Sequence, residues 1–265
     1  MSKIEYIKRI LRDINVSRNH LSLALAFIDT LSAKDTCRLL DPSFNQSPYL
    51  RRKILKKMVS DIKKCYEKCH EELIHKLLLQ IQMKSFSKRT SCAYAIHYLL
   101  PYIPNKKQKN IISTFLFSPY SSIRERAFKI LYSNWDKFYE KGILDVWDRY
   151  HTDSCAKIII KHLPMSVVLN RARDLFAFSK SWRRRSLLLK IVDSDKKLVK
   201  ELTINDPITY VYVLAKSGKK ISSLRAWEIA QKYKEDDKIG LLLWCFGQMG
   251  LWKTLVKFKE TYLDK

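Results

Sequence analysis

The chain has little glycine and little proline. Five Gly and seven Pro in 265 residues compare with average usages of about 7% and 5%. Strand-and-turn architectures need more of both, so helices joined by short loops are expected. Acidic residues are also scarce: 26 Asp and Glu face 51 Lys and Arg, a net charge of +25. No apolar run approaches the ~18 residues of a membrane span. At the N-terminus Ile4, Ile7, Leu11 and Ile14 recur at helical spacing among charges, without the apolar core of a signal peptide. No membrane partner is therefore expected. The chain lacks a phosphate-cradling P-loop, a Gly-rich dinucleotide turn, G-x-S-x-G and H-E-x-x-H. The common enzyme classes are left without support, and no cofactor is expected.

Six cysteines are present, at 37, 65, 69, 92, 155 and 245. Most sit inside helical patterns beside apolar residues, which reads as reduced core thiols in a cytoplasmic setting. Cys65, Cys69 and His70, with His75 beyond, have a superficial zinc look. Structural zinc wants four convergent ligands, usually two pairs, and no second pair follows, so no metal is expected.

What is present is helical periodicity and a recurring pattern. Apolar residues recur at i, i+3, i+4 and i+7 almost throughout, without period-two alternation. About 14–16 helices of 10–16 residues are expected, joined by short loops. Residues 50–83 read as one long helix or as two with a break near Cys69–Glu72. Ser122 with Glu125 has the spacing of a capping box, Asp206 precedes Pro207 as an N-cap does, and Gly218 ends a helix. Four stretches open with Arg or Lys followed by small and apolar residues at helical spacing: LRRKILKKM (50–58), KRTSCAYAI (88–96), IRERAFKIL (123–131) and WRRRSLLLKI (182–191). With Arg51, Arg89, Arg124 and Arg183 equivalent, the gaps are 38, 35 and 59 residues. A weaker copy, DSCAKIIIK (153–161), fills the long gap. A helical period of this size marks an α-solenoid. No linker interrupts the chain, so 1–265 reads as one domain: an N-terminal cap (1–45), repeats with a basic middle (46–235) and a C-terminal cap (236–265).

The stretch SPYSSIRERAFKILYSNW (118–135) resembles the second helix of a HEAT unit, with a proline-bearing turn, an apolar–Arg pair, and Ala127 and Leu131 on one face. The resemblance covers roughly 45–200. It implies a right-handed, all-α solenoid of HEAT-like helical pairs. The period is uneven and the family's aspartate is mostly missing.

Residues 51–200 carry 33 Lys and Arg against 13 Asp and Glu, +20 of the +25. A field of that sign attracts polyanions. If the repeats stack, Arg51, Arg52, Lys56, Arg89, Arg124, Arg126, Arg183, Arg184 and Arg185 align as a basic stripe for a phosphate backbone. Arginine at a helix start opposes the positive helix end, which favours a role outside helix stability. The other reading is of solvated faces whose arginine stems pack between neighbouring helices. Of Arg171 and Arg173, two apart, one is structural, since they share no helix face. Aromatics lie among the cations: Tyr94, Tyr98, Tyr102, Tyr120, Trp135, Trp147, Tyr150 and Trp182. Most fall on the apolar stripe and pack between helices. Trp135, Trp147 and Trp182 are the candidates for stacking on bases.

Trp135–Asp136 and Trp147–Asp148 form two Trp-Asp dipeptides. In architecture, size and basicity the chain is similar to the DNA alkylation-repair glycosylases of HEAT-like fold, which hold a lesion between tryptophans and a carboxylate. That resemblance makes Asp136 or Asp148 the carboxylate that steadies positive charge on the sugar as the base leaves. Against it, Asp136 suits an N-cap and Asp148 an ion pair. Three functions are thus carried forward: nucleic-acid binding (DNA or RNA) without sequence specificity through a basic, concave surface; a scaffold for an acidic protein partner; and a glycosylase acting on alkylated DNA.

Overall fold

The computed structural model describes residues 2–12, 17–39, 48–64, 68–82, 84 and 86–263. Among the described residues there are eighteen α-helices and two short 3-10 turns, and no strand. The protein is all-α. The helices outnumber expectation partly because Met165–Asn170 and Ala172–Phe178 abut at Arg171, with no glycine or proline to mark the break. Residues 48–80 form two helices, Pro48–Lys64 and Lys68–Gln80.

The chain, which reads as one array in sequence, divides into two compact units, Met1–Gly142 and Ile143–Lys265. The division falls inside the helix Glu140–Tyr150.

The first unit contains α1 (Lys3–Arg12), α2 (Arg18–Asp29), α3 (Ala33–Arg38), α4 (Pro48–Lys64), α5 (Lys68–Gln80), α6 (Phe86–Leu99), α7 (Asn105–Leu116) and α8 (Ser121–Ser133). Among the middle helices, α5 packs on α6, α7 on α8, and α6 on both α4 and α8. Helix α6 is thus hemmed in on three sides. Its buried face is built from small and medium residues, Cys92, Ala93, Ala95, Ile96 and Leu99, which let three neighbours approach closely. Thr90, Tyr94 and Tyr98, spaced by four, form its outward stripe. Phe115 and Leu131 are fully buried between α7 and α8.

The second unit holds most of α9 (Glu140–Tyr150), then α10 (Asp153–His162), α11 (Met165–Asn170), α12 (Ala172–Phe178), α13 (Ser181–Ile191), α14 (Lys196–Leu202), α15 (Pro207–Lys216), α16 (Ser223–Lys232), α17 (Ile239–Gln248) and α18 (Trp252–Tyr262). Helix α15 packs on α13 and α17, while α16 and α18 pack on α17 and on each other. Leu187, Leu188, Val211, Cys245 and Phe246 fill its core at full burial.

Local signals explain several helix ends. The Asp206 carboxylate accepts from the Thr209 N–H at 3.0 Å, with Pro207 as first residue of α15. Gly218 closes that helix at φ 70°, and the Lys219 N–H reaches the Leu214 carbonyl at 2.9 Å. The Ser122–Glu125 capping box does not form. The cap of helix α8 falls two residues earlier, at Tyr120, with no side-chain acceptor. No described helix is long and apolar enough to cross a membrane.

Candidate nucleic-acid interface

The recurring arginine has a shared place and a shared partner. Arg51, Arg89 and Arg124 are each the fourth residue of their helices, and in α13 that place is held by Arg184 and not by the expected Arg183. Arg89 Nη1 donates to the Lys84 carbonyl at 2.9 Å, Arg124 Nη1 to the Ser118 carbonyl at 2.8 Å, and Arg184 Nη2 to the Ala177 carbonyl at 3.0 Å. Each acceptor belongs to the turn or the last helical residues just before the arginine's own helix. Carbonyls there have lost their helical donors and need new ones. The arginine reaches back to supply one, which also answers the mismatch between a cation and a helix N-terminus. Arg89 in addition lies 3.6 Å from the Tyr120 ring centroid.

Burial corrects the expected phosphate set. Arg89, Arg124 and Arg183 are 7%, 5% and 5% exposed. Arg183 donates to the Asp153 carboxylate at 3.3 Å, joining α13 to α10. These three side chains hold the interior together and do not present their charge to a passing backbone. The side chains of Arg51 and Arg52 lie outside the described residues. Nearby, Lys53 pairs with Asp29 at 2.6 Å and Lys57 pairs with Asp61. Arg171 pairs with Asp148 and Arg173 with Glu201, both bidentate, so both of these arginines are engaged with carboxylates.

Lys56 and Arg126 remain in the first unit, with no carboxylate partner among the described residues. Both line one groove of about 670 Å³, together with Leu55 and Val59 of α4 and Tyr94 and Tyr98 of α6. The two tyrosines are 48% and 46% exposed, with ring centroids 4.5 Å apart and planes 53° apart. The Arg126 guanidinium lies 5.3 Å from the Tyr94 ring centroid. The side-by-side packing of α4, α6 and α8 creates this arrangement, each helix contributing one strip. His97, next to Tyr98, has its imidazole held below the usual 6.5 by burial first, then by the positive charges of Arg126 and Lys129. The groove is therefore electropositive and aromatic together.

The Trp-Asp candidates separate. Trp147 is fully buried, and its indole N–H donates to the Asp174 carboxylate at 2.5 Å; it cannot stack on a base. Trp135 is half-buried. Asp136 caps the 3-10 turn Lys137–Tyr139 by accepting from the Phe138 N–H at 2.8 Å, and it pairs with Lys109 at 2.8 Å. The Lys109 and Phe138 hydrogen bonds hold its carboxyl below the ordinary 3.8. Asp148 is taken up by Arg171 at 2.6 and 3.0 Å. Both carboxylates thus have structural partners, and one of the two tryptophans is core. No grouping of His, Cys, Asp and Glu able to hold a metal occurs among the described residues. Cys65, and the side chains of Cys69 and His70, lie outside them.

In the second unit Trp182 is 52% exposed, and Arg185 follows it on the same face of α13. The sequence reading missed what Arg185 leads to: Tyr212 on α15 and Trp244 on α17. It also missed a groove of about 720 Å³ lined by Lys197, Lys200, Lys220 and Arg225 together with Glu201, Ile204 and Ile221. The run Lys196, Lys197, Lys200 is the signal for it in the sequence.

No protein-family model, curated protein or solved structure matches the chain.

Proposed function

We propose that this is a helical-repeat protein of HEAT-like kind that binds nucleic acid without sequence specificity. The observation that carries the reading is the groove of α4, α6 and α8, which Lys56 and Arg126 line together with the exposed pair Tyr94 and Tyr98. The two cations neutralise phosphates. The two rings stack on bases, which every base permits because each has a π-face. Stacking needs unpaired bases, so single strands are favoured over duplex. The buried thiols of Cys92, Cys155 and Cys245 support a cytoplasmic setting. The test is anisotropy of fluorescent oligothymidylate, oligouridylate and duplex DNA at several salt concentrations, on nuclease-treated protein. Tight single-strand binding with a steep salt slope is expected. Equal, weak binding of all three near physiological salt contradicts the reading.

The second reading is an adaptor for an acidic protein. It draws on the second unit's groove, lined by Lys197, Lys200 and Lys220 with Glu201 and the apolar side chains of Ile204 and Ile221; Arg225, also in the lining, pairs with Glu228 at 2.9 Å. That combination suits a segment carrying both carboxylates and apolar side chains, with charge steering the encounter. A salt-sensitive complex with an acidic polypeptide that Lys200→Glu abolishes, without oligonucleotide binding, would favour it.

A further inference from the structure

The two units carry the same kind of surface. In each, three helices lie side by side: α4, α6 and α8 in the first, α13, α15 and α17 in the second. In the second unit a row of rings and cations crosses all three helices. Trp182 and Arg185 stand on one face of α13. The Arg185 guanidinium lies 5.1 Å from the Tyr212 ring centroid on α15. The Tyr212 ring is 6.4 Å from the Trp244 ring on α17, with the planes 33° apart. The Lys216 ammonium, one turn along α15, lies 4.8 Å from the Trp244 centroid. Trp244 is 40% and Trp182 52% exposed. Neither Arg185 nor Lys216 has a carboxylate partner among the described residues.

A single exposed aromatic on a surface is ordinary. Here exposed Trp244 belongs to a row with Tyr212 and two cations without carboxylates, and exposed Trp182, which carries the Arg183 guanidinium 4.0 Å from its centroid, stands one turn from Arg185 on α13. A helix-packing role does not require the rings to stay solvated. An acidic partner would use the cations but not the row of rings. Together they match what a single strand offers, flat bases on one edge and phosphates on the other. We infer that the face formed by Trp182, Arg185, Tyr212, Trp244 and Lys216 is a second contact surface for unpaired nucleobases, so that each unit of the protein holds its own segment of a single strand. This rests on the reading of the first unit's groove as a single-strand site.

The test is photo-crosslinking of the full chain to a single-stranded oligonucleotide substituted with 4-thiouridine, with crosslinked peptides mapped by mass spectrometry. Adducts are expected on the Tyr212 and Trp244 peptides as well as the Tyr94–Tyr98 peptide. Trp244→Ala is expected to weaken binding about 5- to 150-fold, the effect of losing one base stack. Lys216→Gln, which leaves the ring in place, should lower the salt dependence of binding without changing the fold. Adducts only on Tyr94–Tyr98, with Trp244→Ala and Lys216→Gln both binding as wild type, overturn the second surface and leave the groove reading standing. Adducts only on Tyr212 and Trp244 support this surface and overturn the groove. No adducts and no binding overturn both.

Discussion

Arg124 Nη1 donates to the Ser118 carbonyl at 2.8 Å from a side chain that is 5% exposed. The arginine fastens the turn between α7 and α8 from inside. A buried carbonyl that loses its charged donor keeps its desolvation cost and gains no water in return. Arg124→Ala is therefore expected to destabilise the protein by about 1.5–3 kcal/mol, with Tm falling by roughly 2–4 °C per kcal/mol. Oligonucleotide affinity per folded molecule should not change. Thermal unfolding followed by circular dichroism, paired with anisotropy below the transition, checks both halves. A loss of affinity in fully folded Arg124→Ala would return this residue to the binding surface.

Tyr94 and Tyr98 behave in the opposite way. Both are about half exposed, so Tyr94→Ala should alter stability by no more than about 0.5 kcal/mol. Its effect belongs to the ligand: about 1–3 kcal/mol of lost stacking on a single strand, and little change on duplex. Comparing the two ligands on the same variant separates base stacking from a general loss of charge attraction.

His97 reports on the groove through its proton. Burial, with Arg126 and Lys129, keeps its pKa below 6.5 in the folded protein. Above that pH both states are neutral at this site and it contributes nothing. As pH falls below 6.5 the unfolded chain takes up the proton first, so stability declines until the folded-state pKa is passed. Urea midpoints measured above and below 6.5 should show this decline in the wild type and a smaller one in His97→Gln. A phosphate seated on Arg126 offsets part of the local positive field, so the imidazole pKa, followed by NMR, should rise when oligothymidylate is added. An unmoved His97 titration at saturating ligand would place the strand elsewhere.

Trp147 is a structural tryptophan whose indole N–H meets Asp174 at 2.5 Å. Trp147→Phe keeps most of the ring and removes the donor, leaving a partly buried carboxylate short of a hydrogen bond. A cost of about 1–3 kcal/mol is expected, read from urea unfolding, with oligonucleotide binding intact.

The helical class was legible because nothing competes with it: glycine and proline are scarce and the apolar spacing is 3.6 almost throughout. Asp206, Pro207 and Gly218 were legible for the same local reason, since a cap is decided by a few neighbouring atoms. The recurring arginine was legible as a pattern but not as a role. From sequence, a cation at a helix start looks misplaced and hence functional. The carbonyls it reaches, at Lys84, Ser118 and Ala177, sit five to seven residues back, and only the turn geometry brings them within bonding distance. Trp147 was misread for a related reason, because burial depends on which helices meet α9. Tyr94 and Tyr98 stood among the aromatics of the sequence, yet their outward stripe emerges only once α6 is surrounded by α4, α5 and α8. Tyr212 and Trp244 lie 32 residues apart, and the packing of α15 on α17 alone makes them neighbours.

The groove stands or falls on the charges of Lys56 and Arg126. The most direct measurement is the salt dependence of oligothymidylate binding by the wild type and by Lys56→Gln/Arg126→Gln. Each phosphate contact on a single strand contributes about 0.7 to the log–log slope, so removing two should flatten it by about 1.4, with the fold and Tm retained. An unchanged slope in the folded double variant would contradict the assignment of this groove as the strand-binding site.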